Sequence, residues 1–138
     1  QGVQVPGLGT FAVAEERFQG KEEVYVVRRP VFHLEIDDFF VHDLASSTEI
    51  IPANAKIKPL NYGWVSRATS FPQQVVENCV LETILLYSFQ LRSGQRLAFV
   101  FKDIGVLSCT DDTLCLRFYS ECVTGLESKA GWIALLRT

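Results

Sequence analysis

The sequence predicts an α+β fold built from small three-stranded antiparallel β-sheets flanked by helices. Three observations carry that expectation. Apolar alternation broken by glycine or proline occurs twice, over residues 2–13 and again from residue 97. Each such segment leads through a polar turn into a β-branched or aromatic return strand. Between them, residues 70–92 carry apolar side chains at helical spacing.

In the first segment, Val3 and Val5 alternate, the chain bends at Pro6-Gly7, and Leu8, Phe11 and Val13 resume the pattern. This reads as a half-buried strand with a bulge or kink. The charged stretch around Gly20 is a hairpin turn, and residues 24–27 are the returning strand. Arg29-Pro30 ends that strand or marks it as a sheet edge. Residues 31–44 place Phe32, Ile36, Phe39, Phe40 and Leu44 three to four apart, which fits a short amphipathic helix closing the unit, with residues 31–34 readable as either strand or helix. Residues 46–58 have the composition of a linker. A short helix is expected near residues 60–68, with Leu60, Trp64 and Val65 on one face. Ser70-Phe71-Pro72-Gln73 has the form of a capping box, so the long helix is expected to start there and stop at Ser93-Gly94. Its stripe of Val76, Cys79, Val80, Ile84, Tyr87 and Leu91 is widened by Leu81, Leu85 and Leu86, and so predicts cover on two sides. A strand from residue 97, a bend at residues 102–105, a tight turn at Asp111-Asp112 and a return strand through Phe118 follow. The aromatic residues, Tyr62 and Trp64 included, are expected to fill the core.

Composition bounds the function. At 138 residues the chain makes one ordinary domain or two very small ones. With 48% hydrophobic and 21% charged residues it has a core, and wholesale disorder is excluded. Thirteen basic against sixteen acidic residues give a net charge of −3. Sequence-independent nucleic-acid binding draws on several neutralised phosphates, so this balance opposes it. A mean hydropathy of +0.16 is greasy for a lone chain and points to a protein partner. The longest apolar run, residues 84–89, is interrupted by Ser88 and falls well short of the ~20 residues a membrane helix needs. The four cysteines, at 79, 109, 115 and 122, form no C-x-x-C pair and are expected as buried free thiols. A three-residue loop at 111–113 would set Cys109 opposite Cys115, although reducing conditions oppose a bond there.

The two alternating segments align. Val3, Val5, Leu8 and Phe11 fall on Phe99, Phe101, Ile104 and Leu107, and Gly9 falls on Gly105. A glycine at one place in both copies implies close backbone approach. Return strands with arginine beside bulky apolar residues follow each: Arg28 to Phe32, then Arg117-Phe118-Tyr119.

These residues resemble the bacterial HU/IHF family, where apolar alternation leads into a Gly-aromatic-Gly-Thr-Phe turn, here Gly7-Leu8-Gly9-Thr10-Phe11. Arg29, Pro30 and Phe32 sit where that family's return strand closes its arm. The blocks RRPVF, KPLNY, VVENCVLETILL, FKDIGVL and LRFY are similar to those of the coiled-coil domain-containing protein 81 family, which carries tandem divergent HU-like domains. The resemblance implies that residues 1–45 are the later part of a first HU-like unit without its leading helices. Residues 59–125 would be a second, nearly complete unit, and 126–138 an unassigned tail. The chain would then be a fragment whose units pair within it, or which forms a homodimer. The resemblance also implies a cytoplasmic protein of the centrosome and microtubule-organising region.

HU inserts Arg/Lys-rich arms, tipped with a proline wedge, into the minor groove. Here the first arm, residues 14–23, sets Arg17 and Lys21 against Glu15, Glu16, Glu22 and Glu23, with no proline. The second shrinks to residues 110–113, tipped by two aspartates. The expectation is therefore a non-catalytic protein-interaction module without cofactor, the alternative being an architectural DNA binder of HU type. Arg28, Arg29, Phe18, Tyr25 and Trp132 are the candidate interaction residues, although Arg28 and Arg29 point to opposite strand faces and also fit ordinary surface charge. His33 and His42 lie near Glu35, Asp37, Asp38 and Asp43, but a metal site needs more converging ligands. Nucleophile-elbow and phosphate-loop motifs are absent.

Overall fold

The computed structural model describes residues 2–36, 45–46 and 50–126. Its architecture is the expected α+β one, in two small sheets. Strands β1 (Gly2–Val5), β2 (Gly9–Gln19) and β3 (Val24–Leu34) form an antiparallel meander. The second meander follows later in the chain, as β6 (Phe99–Phe101), β7 (Gly105–Thr110) and β8 (Thr113–Phe118). Each gains a short parallel strand that sequence reading missed. Ala45–Ser46 (β4) joins β8, and Ile57–Pro59 (β5) joins β1, so the expected linker contributes a strand residue or more at each end.

The predicted bend at Pro6-Gly7 is a full reversal. Leu8 N–H donates to the Val5 carbonyl at 3.0 Å, and Gly7 sits at φ 84°. Proline followed by a left-handed glycine is the type II turn pattern. The second meander turns likewise, with Ile104 N–H on the Phe101 carbonyl at 3.0 Å and Asp103 at φ 63°. Val5 then pairs with Gly9 and Val3 with Phe11, while Phe101 pairs with Gly105 and Phe99 with Leu107. Gly9 faces Leu34 and Gly105 faces Phe118, so His33 rather than Arg28 or Arg29 stands where Arg117 does.

Strand β3 runs through Pro30 to Leu34, so residues 31–34 are strand and not helix. β3 is a sheet edge, where a missing N–H costs least. The rest of that predicted helix, residues 37–44, lies outside the described residues.

Helix α1 (Tyr62–Thr69) opens on Asn61, whose side chain accepts from Trp64 N–H at 2.9 Å. Ser70 closes it in the left-handed conformation at φ 62°. The expected capping box is therefore not formed. Helix α2 (Gln73–Arg92) begins after Pro72, whose ring presets the helical φ. It ends at Ser93, with Gly94 at φ 88°. A third helix, α3, spans Ser120–Gly125.

One core joins both sheets. Leu8, Phe32 and Ile36 from the first pack with Ile84, Tyr87 and Leu91 of α2 and with Leu107 and Leu114 of the second. Aromatic rings continue across the junction. Tyr87 meets Phe99, Phe99 meets Phe101, Phe101 meets Phe11, and Phe11 meets Phe32, with centroids 4.7–5.2 Å apart. A smaller cluster of Ala12, Ala14 and Val31 lies under Ile51 on the other face of the first sheet. Among the described residues the core packs on one side of α2. Leu85, Leu86 and Phe89 remain 67, 60 and 53% exposed, against the expectation of cover on two sides.

Candidate functional site

The β2–β3 hairpin projects as a ribbon of eleven residues a side, about 35 Å long at ~3.3 Å per residue. Its tip is Gly20, whose N–H donates to the Glu23 carbonyl at 2.8 Å. Strand alternation puts Arg28 and Arg29 on opposite faces, and a glutamate answers each. Arg28 lies directly across from Glu15, at 3.8 Å. Arg29 donates through Nε to Glu16. Over residues 14–29 four basic residues (Arg17, Lys21, Arg28, Arg29) meet four acidic ones (Glu15, Glu16, Glu22, Glu23). These pairs are about half exposed and add little stability. Their consequence is electrostatic: the arm presents no net charge to a phosphate backbone.

The second hairpin is short. Asp111 and Asp112 form a two-residue turn with φ 51° and 59°, the conformation of a type I′ hairpin. Thr110 pairs with Thr113, so Cys109 faces Leu114 and Cys115 faces Ser108. The three-residue loop is not formed and the two cysteines do not face each other. Arg96 reaches Asp112 at 3.5 Å. A sheet pair with one long and one clipped hairpin, and a helical pair leading the second sheet, is thus on view.

A family model described as CCDC81 eukaryotic HU domain 2 matches residues 56–130, more than half of the chain. The chain belongs to this family. Within the HU-like domain, α1 and α2 lead β6, β7 and β8. The family is one of HU-like domains.

The residues expected as a fold signature lie in the two meanders and the turns between their strands. Gly9 and Gly105 press against the return strand: a Cβ on Gly9 would lie 2.5 Å from the His33 carbonyl oxygen, and one on Gly105 would strike the Arg117 carbonyl. Phe11, Phe32 and Phe118 belong to or pack against the shared core, and Arg117 is exposed on β8 opposite Val106. Phe18 and Tyr25 pair across the arm and are half-buried. Trp132 and His42 lie outside the described residues, as do Asp37, Asp38 and Asp43. Among the described residues no group of three metal-ligating side chains converges, and no helix is long and apolar enough to cross a membrane.

Three features escaped sequence reading. Trp64, expected in the core, is 63% exposed. Glu35, considered in the sequence only as a metal ligand beside His33, accepts from buried Thr10 Oγ1 at 2.8 Å and from Gln4 Nε2 at 3.1 Å, tying the first three strands together. Cys79 is exposed and the other three thiols are half-buried, so the expected buried thiols are only partly so. Burial pushes the Cys109 and Cys122 thiols up, Asp112 adding to the effect at Cys109 while Arg96 opposes it.

Tyr87 is a buried core residue of α2 with a polar tip. Its hydroxyl donates to the Leu97 carbonyl at 2.8 Å, and burial pushes its pKa up to about 12 from 10.0. The folded state therefore holds the phenol proton more tightly than the unfolded state. Its contribution is complete below pH ~10 and is lost as pH rises toward about 12. Tyr87→Phe is expected to cost about 1 kcal/mol at pH 7 through the lost hydrogen bond. It should also flatten the decline between pH 10 and 12, as measured by urea melts across that range.

Proposed function

We propose that this chain is a non-catalytic protein-interaction or scaffold module, in which an HU-type framework is kept and its hold on DNA is lost. The observation that carries this reading is the pairing of Arg28 with Glu15 and Arg29 with Glu16 on the two faces of the arm. A minor-groove arm needs cations facing phosphate and a wedge at its tip. This arm offers neutral pairs and the tip sequence Gln19-Gly20-Lys21-Glu22.

The same reading divides the chain into the later part of a first HU-like unit, residues 1–45, and a second unit, residues 59–125. The two are tandem copies paired within one polypeptide. The common register of β1–β2 and β6–β7 and the aromatic row linking the sheets support the pairing. Family likeness favours work at the centrosome and microtubule-organising region, which proximity labelling of the natural protein in cells reads directly.

A mobility-shift titration against salt tests the loss of DNA binding. The expected result is affinity no better than the ~10⁻⁴ M of weak non-specific binders, with a shallow salt slope. Tight binding with a steep negative slope would establish an architectural DNA binder instead. Glu15→Lys with Glu16→Lys removes the two glutamate partners and adds two cations. It is expected to raise affinity at low salt at least tenfold and to steepen the slope by about two.

A further inference from the structure

The exposed side of α2 and a groove of about 1160 Å³ beside Trp64 are apolar, and apolar surface is not selective about what covers it. A strand edge is selective, because its N–H and C=O groups are matched by the backbone of another strand. The third strands of the two meanders differ at that edge. The second sheet has the order β4-β8-β7-β6, so β8 carries β4 on its outer side. The first has the order β3-β2-β1-β5, and β3 stands last among the described strands.

Register says where a counterpart of β4 would come from. Gly9 faces Leu34 and Gly105 faces Phe118, so Leu34 and Phe118 hold the same place in their strands. By the same count Thr113 and Leu114 correspond to Arg29 and Pro30. Thr113 and Leu114 are the residues that pair in parallel with Ala45 and Ser46. Ala45 and Ser46 follow Leu34 by eleven and twelve residues, and the residues that follow Phe118 by those intervals are Lys129 and Ala130. β4 crosses from the first meander to the second sheet. Helix α3 makes the reciprocal crossing, since it follows β8 yet lies against β3. It ends at Gly125, and the steps from there to Lys129 reach about 13 Å when extended. Paired strands are only ~4.8 Å apart, so the chain beyond α3 is long enough to arrive at the edge of β3.

We propose that Lys129 and Ala130, in the segment 127–138 outside the described residues, pair in parallel with Arg29 and Pro30 and close the outer edge of β3. Each meander then sends a short strand across to the third strand of the other. Pro30 offers no N–H to the new ladder, so this pairing is weaker than that of β4 with β8. The same register carries Trp132 alongside Phe32, which belongs to the core joining the two sheets. Trp132 is thus an anchor within the chain, and the tail withholds from other chains an edge that accepts a partner strand. The inference goes beyond the loss of DNA binding and stands without it.

Hydrogen exchange on the full chain, read by mass spectrometry, tests it. Amides of residues 129–132 should exchange at least tenfold more slowly than an unstructured peptide. Successive N–H groups of a strand point to opposite sides, so Ala130→Pro with Gly131→Pro must remove a bond to β3. That double variant should speed exchange several-fold over residues 24–34 and leave residues 113–118 unchanged. Trp132 supplies a second readout in the Trp64→Phe chain, where it is the remaining tryptophan of two. Its quenching by acrylamide should be several-fold weaker than that of a free indole and should recover in the proline variant. A tail that exchanges as an unstructured peptide, with a fully quenched Trp132, overturns the inference. So does a protected tail whose proline variant leaves β3 exchange unchanged, since the tail would then lie elsewhere. Should the proline pair unfold the chain, tail exchange and Trp132 quenching in Trp64→Phe alone still decide.

Discussion

Leu107→Ala is expected to destabilise the chain by about 2–5 kcal/mol, the range for a buried leucine truncated in a packed core. Leu107 is 1% exposed and sits in the cluster that joins the first sheet, α2 and the second sheet. Small domains have only ~5–15 kcal/mol in total, so the loss is a large share of the whole. Its distribution matters as much as its size. Leu107 lies on β7, yet its cluster includes Phe32 of the first sheet and Leu8 of the turn between β1 and β2. The cavity should therefore weaken both sheets together. Urea melts followed by far-ultraviolet circular dichroism are expected to keep one transition at a lower midpoint. Hydrogen exchange should speed in β2 and β7 alike. Two separated transitions, with β2 amides still protected after β7 opens, would mean that the sheets are independent and that the aromatic row does not couple them.

The strands and the long helix were legible because their signals are local. Alternation in β2 and β7, the stripe on α2 and the stop at Ser93-Gly94 each lie within one window of sequence. The Gly9 and Gly105 correspondence was legible for a similar reason, since close strand approach leaves a glycine as its mark. Other features depend on partners distant in sequence. Residues 31–34 have helical spacing in the one-dimensional pattern, but pairing with residues 9–12 keeps them extended, and tertiary context overrides the period. Ser70 matches a capping box by type, yet its left-handed backbone is spent on ending α1. Proline and glycine at residues 6–7 signal a turn as well as a kink, and only the antiparallel register of Val3 with Phe11 decides between them. β4 and β5 are too short for any periodicity and exist because edges of β8 and β1 accept them. At the arm, the opposite faces of Arg28 and Arg29 followed from strand geometry alone. Their glutamate partners needed the register of the hairpin. The outer ridge of α2 and the groove beside Trp64 were hidden, because an apolar stripe does not say which of its sides is covered.

Gly105→Ala should be the most damaging single-methyl addition to the chain, at about 3 kcal/mol, the upper end for an overpacked site. Its Cβ would meet the Arg117 carbonyl oxygen and lie 2.9 Å from Phe118 Cα, both backbone atoms of the paired strand. No rotamer change relieves such a contact, so β7 and β8 must part at their inner end. Gly9→Ala meets a softer wall. The His33 carbonyl oxygen is 2.5 Å away, but the other neighbours are atoms of the Phe32 ring, which can swing at a cost to its packing on Phe11. A cost of about 2 kcal/mol is expected there. Gly125→Ala supplies the contrast: nothing lies within 4 Å of its Cβ, and it closes a helix without a positive φ. That change should be neutral or stabilising by up to ~1 kcal/mol. Equilibrium denaturation of the three variants ranks them, and a Gly105→Ala chain as stable as wild type would contradict the close approach of β8. The order also bears on the arm. Gly9 begins β2 and Gly105 begins β7, so each glycine holds the register from which its hairpin projects. Loosening Gly9 should therefore disturb the Glu15–Arg28 and Glu16–Arg29 pairs farther along the ribbon, although no charge has been altered.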